Sequence, residues 1–400
     1  MMSGGRCYCI SLSCGESAIS EHFRGLGDEL ARRGNRVSLF LTGQPDDVGD
    51  SRGNPAVHAW PSRRPTRLVD AVFLAKQIAR CRPDCLVGSF SAVNWMLLVG
   101  RMMRVPCRVA CSHTLSAQID CDSPLPRWKR RGLMWRKRLV LRTASFVWTN
   151  SDACQQDVMT RFHVPPVKCI RFQYTLRDPL EDGAVRPRPI SRPDAFVCVG
   201  RLNPSKGQDV VVRAARILAG RVPNLLVEFV GDGPCRQSLT ELARQLGVES
   251  CCRFLDRLSH EEVLDKMSSA TATIVPSRFE AFGLVNIESM AVGTPVVASD
   301  TGGIGEIIRD GVDGFLVPPD QPEKLAERLL RISSNAELAR RLREQARRRF
   351  LDCYEQRHAI RRQADILENL VAEASARRNG SARGRSGGEV CLHEGKGSAS

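Results

Sequence analysis

Short apolar runs and helix-period stretches take turns along most of this chain. Cys7–Ser13 is a near-continuous apolar run, and a Gly-bearing loop, Cys14-Gly15-Glu16-Ser17, follows it. Apolar positions then recur at helical spacing from about Ala18 to Arg33, where Gly34-Asn35 supplies a stop. A second apolar run occupies Val37–Thr42. Strand, loop, helix and strand in that order form the unit of a parallel sheet. Cys85–Ser89, Arg108–Ser112 and Ser145–Asn150 read as further strands buried on both faces. The Pro- and Arg-rich stretch Arg177–Asp194 has no periodicity and reads as a linker between domains.

The pattern then restarts. Strands are predicted at Ala195–Gly200, Leu225–Gly231, Cys252–Leu255, Thr273–Pro276, Pro295–Ser299 and Phe315–Val317. Helices are predicted between them at about Asp209–Leu218, Arg236–Leu246, His260–Ala270, Gly283–Ala291 and Pro322–Ile332. This is an α/β chain of two Rossmann-like, doubly wound domains facing a cleft, with ligands at the carboxyl ends of the strands. The predicted boundaries are 1–180 for the first domain, 181–194 for the linker and 195–350 for the second domain. The helical pattern is continuous from Ala336 to about Arg378, and its last part, 351–378, is expected to pack back on the first domain. The Gly- and Ser-rich stretch Asn379–Ser400 reads as a disordered tail.

A length of 400 residues exceeds one ordinary core, in keeping with two domains. The net charge of +15 is uneven. Residues 1–180 hold 27 Lys/Arg against 14 Asp/Glu, while the remainder holds 32 against 30. The first half is therefore expected to face something anionic. Most of the 16 cysteines fall in predicted strands or helices, where Cys serves as a small hydrophobe. Met1–Ser13 lacks the charged leader and cleavage site of a secretory signal, and no run approaches the roughly 18 apolar residues of a spanning helix. A reducing cytosol is the expected compartment. Without paired Cys-x-x-Cys knuckles a zinc site is not expected.

Candidate chemistry is concentrated in the second domain. Gly200-Arg201-Leu-Asn-Pro-Ser-Lys206-Gly207 leaves a predicted strand through a Gly- and Pro-bearing loop, which can aim two cations at a diphosphate. Glu280-Ala-Phe282-Gly283-Leu284-Val-Asn-Ile-Glu288 spans a loop and a helix start, whose free N–H groups form a ready phosphate site. About 7.5 Å of helix between Gly283 and Glu288 lets one carboxylate reach a hexose and the other a ribose. Carboxylates suit both, because they accept paired hydroxyl donors. Gly231-Asp232-Gly233-Pro234 is by itself a turn. Gly293-Thr-Pro-Val-Val-Ala-Ser-Asp-Thr-Gly302-Gly303 either brings backbone to the cleft or turns the chain.

Together these motifs, in this order from about Phe196 to Val317, resemble the family-4, group 1 retaining glycosyltransferases of the GT-B fold. The resemblance implies transfer of a hexose-type sugar from a UDP- or GDP-sugar to a hydroxyl, with no metal or other cofactor. It implies that Arg201 and Lys206 neutralise the departing diphosphate, which takes the acceptor's proton during front-face transfer. It implies further that Glu280 contacts the sugar, that Phe282, Gly283 and Leu284 line the donor, that Glu288 holds the ribose, and that Arg257 and Leu258 border the base. In the first half the resemblance is weaker. His113 matches a family histidine near the donor sugar, and Gly15 lies in the place of a Gly-Gly loop whose first glycine is here Cys14. Gln173-Tyr174-Thr175-Leu176 stands where the family often carries an Asn. Asp120-Cys121-Asp122 has the letters of a metal motif but follows no predicted strand, and reads as loop.

Arg127–Arg142 holds eight cations and two tryptophans, Trp128 and Trp135, seven apart. That composition suits a helix lying on an anionic bilayer surface, and equally a solvated basic face with its tryptophans in the core. The first alternative implies a protein peripheral on the cytoplasmic leaflet with a lipid-linked acceptor. Nucleic acid is not expected, since stacking aromatics interleaved with the basic residues are lacking. Two other readings share the scaffold: a non-hydrolysing nucleotide-sugar epimerase and a catalytically silent nucleotide-sugar binder. A nicotinamide dehydrogenase fits poorly, because no Gly-x-Gly-x-x-Gly follows the first strand.

Overall fold

The computed structural model describes residues 5–13, 17–42, 53–123, 125–181, 183, 185 and 194–378. Gly15 with its neighbours Cys14 and Glu16, most of the predicted linker and the tail Asn379–Ser400 lie outside them. The first domain holds strands β1 (Cys7–Ser13), β2 (Arg36–Thr42), β3 (Ala56–Ala59), β4 (Cys85–Gly88), β5 (Cys107–Ser112), β6 (Phe146–Thr149) and β7 (Cys169–Arg171). Its helices are α1 (Ala18–Arg32), α2 (Leu68–Cys81), α3 (Val93–Met102), α4 (Ser116–Asp122), α5 (Arg127–Arg142) and α6 (Asp152–Phe162). The second domain holds β8 (Ala195–Val199), β9 (Leu226–Val230), β10 (Cys252–Leu255), β11 (Ala272–Val275), β12 (Val296–Ser299) and β13 (Gly314–Val317). Between and after these run α7 (Gln208–Leu218), α8 (Arg236–Gln245), α9 (His260–Ser269), α10 (Leu284–Ala291), α11 (Ile304–Ile307), α12 (Pro322–Ser333), α13 (Ala336–Cys353) and α14 (Gln356–Arg378).

Both sheets are parallel, with strand orders β3-β2-β1-β4-β5-β6-β7 and β10-β9-β8-β11-β12-β13. The central strands are covered on both faces, and for this reason β1 and β11 read as unbroken apolar runs without alternation. The cysteines Cys9, Cys85, Cys107 and Cys198 are wholly or almost wholly buried, and every described cysteine is a free thiol. In each sheet the order reverses once, between β1 and β4 and between β8 and β11. Loops leaving those strand pairs diverge to opposite faces and open a crevice.

Three predicted features differ. The stretch 336–378 is two helices, because the chain extends at Tyr354–Glu355 to pair with Leu176. Leu176 N–H donates to the Tyr354 carbonyl at 3.0 Å, and Gln356 N–H donates to the Leu176 carbonyl at 2.9 Å. This crossing sends α14 back onto α1, where Arg33 meets Asp365 and Glu368. Asp120-Cys121-Asp122 is the end of α4 and not loop; tertiary contacts hold this short helix, with Asp157 accepting from the Ser116 N–H and hydroxyl. The tryptophans of α5 are not core residues: Trp128 is 71% exposed and Trp135 65%. Only Val140 and Leu141 of α5 are buried, so its first turns stand on the surface.

His22 on α1 is fully buried beside the hinge, with Nδ1 accepting from Thr175 N–H at 3.2 Å. Burial, with the nearby His113 adding, pushes its imidazole down from 6.5 to about 3. The ring is therefore neutral in the fold but protonates in the unfolded chain below about pH 6.5. Its contribution to stability is complete above that pH and is lost as pH falls toward 3. His22→Gln should flatten the acid side of the stability curve. The wild-type slope attributable to this group is about 1.4 kcal/mol per pH unit between the two pKa values. Urea midpoints at several pH values between 7 and 4 check this, and an unchanged slope in the variant would refute it.

Candidate active site

The crevice of the second domain lies between the loops that follow β8 and β11. After β8 the chain runs through Arg201 into a tight 3-10 turn, Pro204–Lys206, ending at Gly207. Gly207 has φ +67, and a Cβ there would collide with the Pro276 carbonyl at the end of β11. Only glycine lets the two loops touch backbone to backbone. The contact sets Lys206 Nζ 2.5 Å from Glu280 Oε2, and the Ser277 hydroxyl donates to the same oxygen at 3.3 Å. Both charged groups are largely covered, with Lys206 24% and Glu280 12% exposed at the side chain. Arg201 stands exposed on the same loop and its guanidinium pairs with no described residue.

Glu280 is supported from beneath. Gly303 N–H donates to the Glu280 carbonyl at 3.1 Å, and a Cβ on Gly302 would collide with that same oxygen. The Gly302-Gly303 pair therefore buttresses the Glu280 loop. Gly283, with φ +92, caps α10, whose first N–H groups have no partner within the helix. The Phe282 side chain turns inward, edge-on to Tyr174 at 5.8 Å and Tyr354 at 6.4 Å, so it anchors the loop across the domain boundary. Leu284 is half-buried against the core. Glu288 lies a turn along α10, 9% exposed, with His260 Nδ1 3.9 Å from its carboxylate. Burial raises its pKa, the charge of Glu21 on α1 adds to the rise, and His260 opposes it. After β10, Arg257 is exposed and Leu258 is half-buried against the cluster that includes Val230, Leu264 and Met267.

On the opposite side His113 follows β5. Its ring stacks on Phe90 at 4.9 Å and on Tyr174 at 5.7 Å, and Nδ1 bonds the Tyr174 hydroxyl. Burial, with Lys137 adding, brings its pKa down to about 3, so the ring is neutral. Burial also holds the Tyr174 phenol protonated. The phenol and Nδ1 share this hydrogen bond, and Nε2 has no partner among the described residues. Phe90 sits at the β1/β4 switch point, 41% exposed and with φ +51, a strained backbone for a bulky residue.

The structure thus gathers Lys206, Glu280 and Gly283 about one crevice, with Arg201 at its rim and Glu288 on the helix behind. Sequence reasoning missed the braces. Arg278 donates to the Pro204 carbonyl at 2.8 Å and pairs with Asp209 at 2.7 Å, holding the Lys206 turn. Glu306 reaches across the domain boundary to accept from Asp152 N–H at 2.9 Å and pairs with Arg171 at 3.1 Å. Glu306 ends the segment Gly302-Gly303-Ile-Gly-Glu306, and no local pattern there announces its partners. Among the described residues no His, Cys, Asp or Glu cluster could hold a metal ion, and no helix is long and apolar enough to cross a membrane.

Residues 186–349 match the family model of group 1 glycosyl transferases, and residues 19–171 match that of Glycosyltransferase Family 4. A D-inositol 3-phosphate glycosyltransferase of a Nocardioides species is 30% identical over 399 residues, covering 87% of this chain and 84% of that one. The alpha-D-kanosaminyltransferase of Streptomyces kanamyceticus is 26% identical over 276 residues, 67% of this chain and 71% of that one. Among solved structures, sucrose-phosphate synthase from Thermosynechococcus elongatus superposes with a TM-score of 0.73 at 19% identity, covering 92% of this chain and 100% of that one. Anabaena HepE in complex with UDP-glucose superposes with a TM-score of 0.68 at 17% identity, covering 91% and 99%. The two facing parallel-sheet domains and these matches together establish that the chain belongs to the family-4, group 1 glycosyltransferases and has their GT-B fold.

Proposed function

We propose that this glycosyltransferase moves a hexose-type sugar, with retention and without a metal, from a UDP- or GDP-sugar to the hydroxyl of a glycan or lipid-linked acceptor. The observation that carries this reading is the Lys206–Glu280 pair in the β8/β11 crevice, with unpaired Arg201 on the same loop and the start of α10 beside it. A diphosphate bearing more than one negative charge can draw Lys206 from its single carboxylate, and Arg201 can grip the other phosphate oxygens. The carboxylate of Glu280 then faces the sugar. Glu288 holds the ribose hydroxyls, and Arg257 and Leu258 border the base.

In the transfer, the bond from the anomeric carbon to the phosphate oxygen breaks as the bond to the acceptor oxygen forms on the same face. The departing phosphate takes the acceptor's proton, while Arg201, Lys206 and the helix start stabilise its charge. Glu280 stabilises the positive character of the sugar ring, and neutral His113 offers its Nε2 to the sugar. The cation pair and helix dipole supply the positive charge that a divalent metal supplies elsewhere. Solved HepE, with UDP-glucose, supports a UDP-sugar as the first donor to try. The basic helix α5, with Trp128 and Trp135 exposed beside eight cations, supports peripheral docking on an anionic cytoplasmic leaflet.

A panel of nucleotide sugars read by thermal shift tests the donor assignment. One donor should raise the unfolding temperature, by mass action equivalent to about 2.7 kcal/mol at a hundred times its Kd. A flat panel would sink the reading. An epimerase would instead convert the donor's sugar with no acceptor present.

With the selected donor, Lys206→Ala should lower kcat by about 10²- to 10³-fold, as loss of an oxyanion-stabilising donor does elsewhere. Glu288→Gln should mainly raise the donor KM, by about tenfold, the cost of one charge-assisted hydrogen bond. Excess EDTA should leave turnover unchanged. A kcat effect confined to Glu288 would reverse the assigned roles.

Vesicle flotation tests the surface assignment. The chain should float with anionic vesicles and not with neutral ones, and replacing Trp128 and Trp135 by Ala should abolish flotation. Equal behaviour toward both lipids would refute it.

A further inference from the structure

The turn that carries Lys206 is held from two sides. Within its own domain Arg278 grips it: the guanidinium donates to the Pro204 carbonyl at 2.8 Å, and Arg278 N–H donates to the Ser205 carbonyl at 2.8 Å. From the opposite domain comes a single carboxylate. Asp122 Oδ1 accepts from Ser205 N–H at 3.0 Å, and Oδ2 accepts from the Ser205 hydroxyl at 2.9 Å and from Asn203 Nδ2 at 3.2 Å. Ser205 is fully buried, and Lys206 is the next residue.

Local helix physics gives no reason for this carboxylate. Asp122 is the last residue of α4, where the helix dipole disfavours negative charge, and no basic residue lies in the helix's last turn. The described donors to its carboxylate come from the other domain. When the domains part, Ser205 loses its partners for both N–H and hydroxyl, and the Lys206 turn keeps only the contacts of its own domain, to Arg278, Phe279 and Glu280.

We infer that Asp122 is a positioning residue for the transfer step, fixing the 203–206 turn, and through it the Lys206 ammonium, only while the two domains are closed. The inference rests on the donor reading above and adds closure as the condition for it. Nucleotide binding draws mainly on the second domain and needs no closure. The transfer step does need it, because Lys206 must lie within hydrogen-bond range of the leaving phosphate, and small misplacements of such groups are costly.

The experiment compares wild type with Asp122→Ala, Asp122→Asn, Ser205→Ala and the Asp122→Ala/Ser205→Ala double variant. Readouts are the Kd for UDP or GDP, whichever the panel selects, and kcat for nucleoside diphosphate release from the donor on slow transfer to water. In Asp122→Ala, kcat should fall by about 10- to 100-fold while the nucleotide Kd shifts by less than about threefold. Asp122→Asn keeps one oxygen to accept from Ser205 N–H and should recover part of the loss. The double variant should be no slower than Asp122→Ala, because both changes break one contact. Unchanged kcat in Asp122→Ala, or losses that multiply in the double variant, would overturn the inference. A wild-type chain that binds neither nucleotide would overturn the donor reading beneath it, a separate outcome.

Discussion

Closure of the two domains depends on backbone N–H groups of one domain being satisfied by carboxylates of the other. Glu306 of the second domain accepts from Asp152 and Ala153 at the start of α6, where the helix dipole favours an anion. A covered N–H left without a partner costs about 1–3 kcal/mol, so each such contact favours the closed state while remaining replaceable by water when the cleft opens. The hinge side is built otherwise. There Tyr174, Leu176, Phe282 and Tyr354 are buried together, and Arg347 pairs with Asp178, whose side chain is 2% exposed. Water cannot easily take over those contacts. One edge of the boundary is therefore packed and apolar, and the other is held by carboxylate to N–H contacts, which water can replace.

The same division organises the crevice. Everything that fixes the height of Glu280 belongs to the second domain: Gly302 and Gly303 beneath it, Ser277 and Lys206 beside it. All of those contacts lie within one domain, and of these groups the Lys206 turn is also held from the first domain, by Asp122. His113 belongs to the first domain and is fixed there by the stacked rings of Phe90 and Tyr174. Each set of contacts is internal to its own domain. Tyr174 spans the two, bonding His113 and meeting Phe282, so the histidine is referenced directly to the Glu280 loop.

Legibility in the sequence followed the distance over which each feature is determined. Strands β8 to β13 were readable because parallel burial imposes apolar runs within four or five residues, and Lys206 and Glu280 because each lies between such a run and a helix. The edge strands β3 and β7 escaped notice: one is half-buried and the other only three residues long. Asp122 looked like loop because its partner Ser205 is 83 positions away, and α4 has no apolar face of its own. The break at Tyr354 was hidden for the same reason, since the pairing partner Leu176 belongs to the other crossing of the hinge. The strain at Phe90 leaves no mark at all, because no residue type announces a bulky side chain at positive φ.

Charge remains to be accounted for, and the donor site does not do it. The second half is nearly balanced, with 32 cations against 30 acids, and the proposed diphosphate site there calls on two local cations and a helix start. The excess lies in residues 1–180, where α5 alone carries eight of the 27 cations. Among those eight, Arg130 pairs with Asp120 at 3.4 Å, with Arg130 exposed and Asp120 partly so. Exposed pairs of that kind contribute little, so they give no reason to keep the rest. Nor does packing: the two tryptophans on α5 leave most of their surface uncovered by the described residues. On the peripheral-docking proposal, the cations and the exposed indoles of α5 would be met together where negative headgroups lie beside an apolar layer.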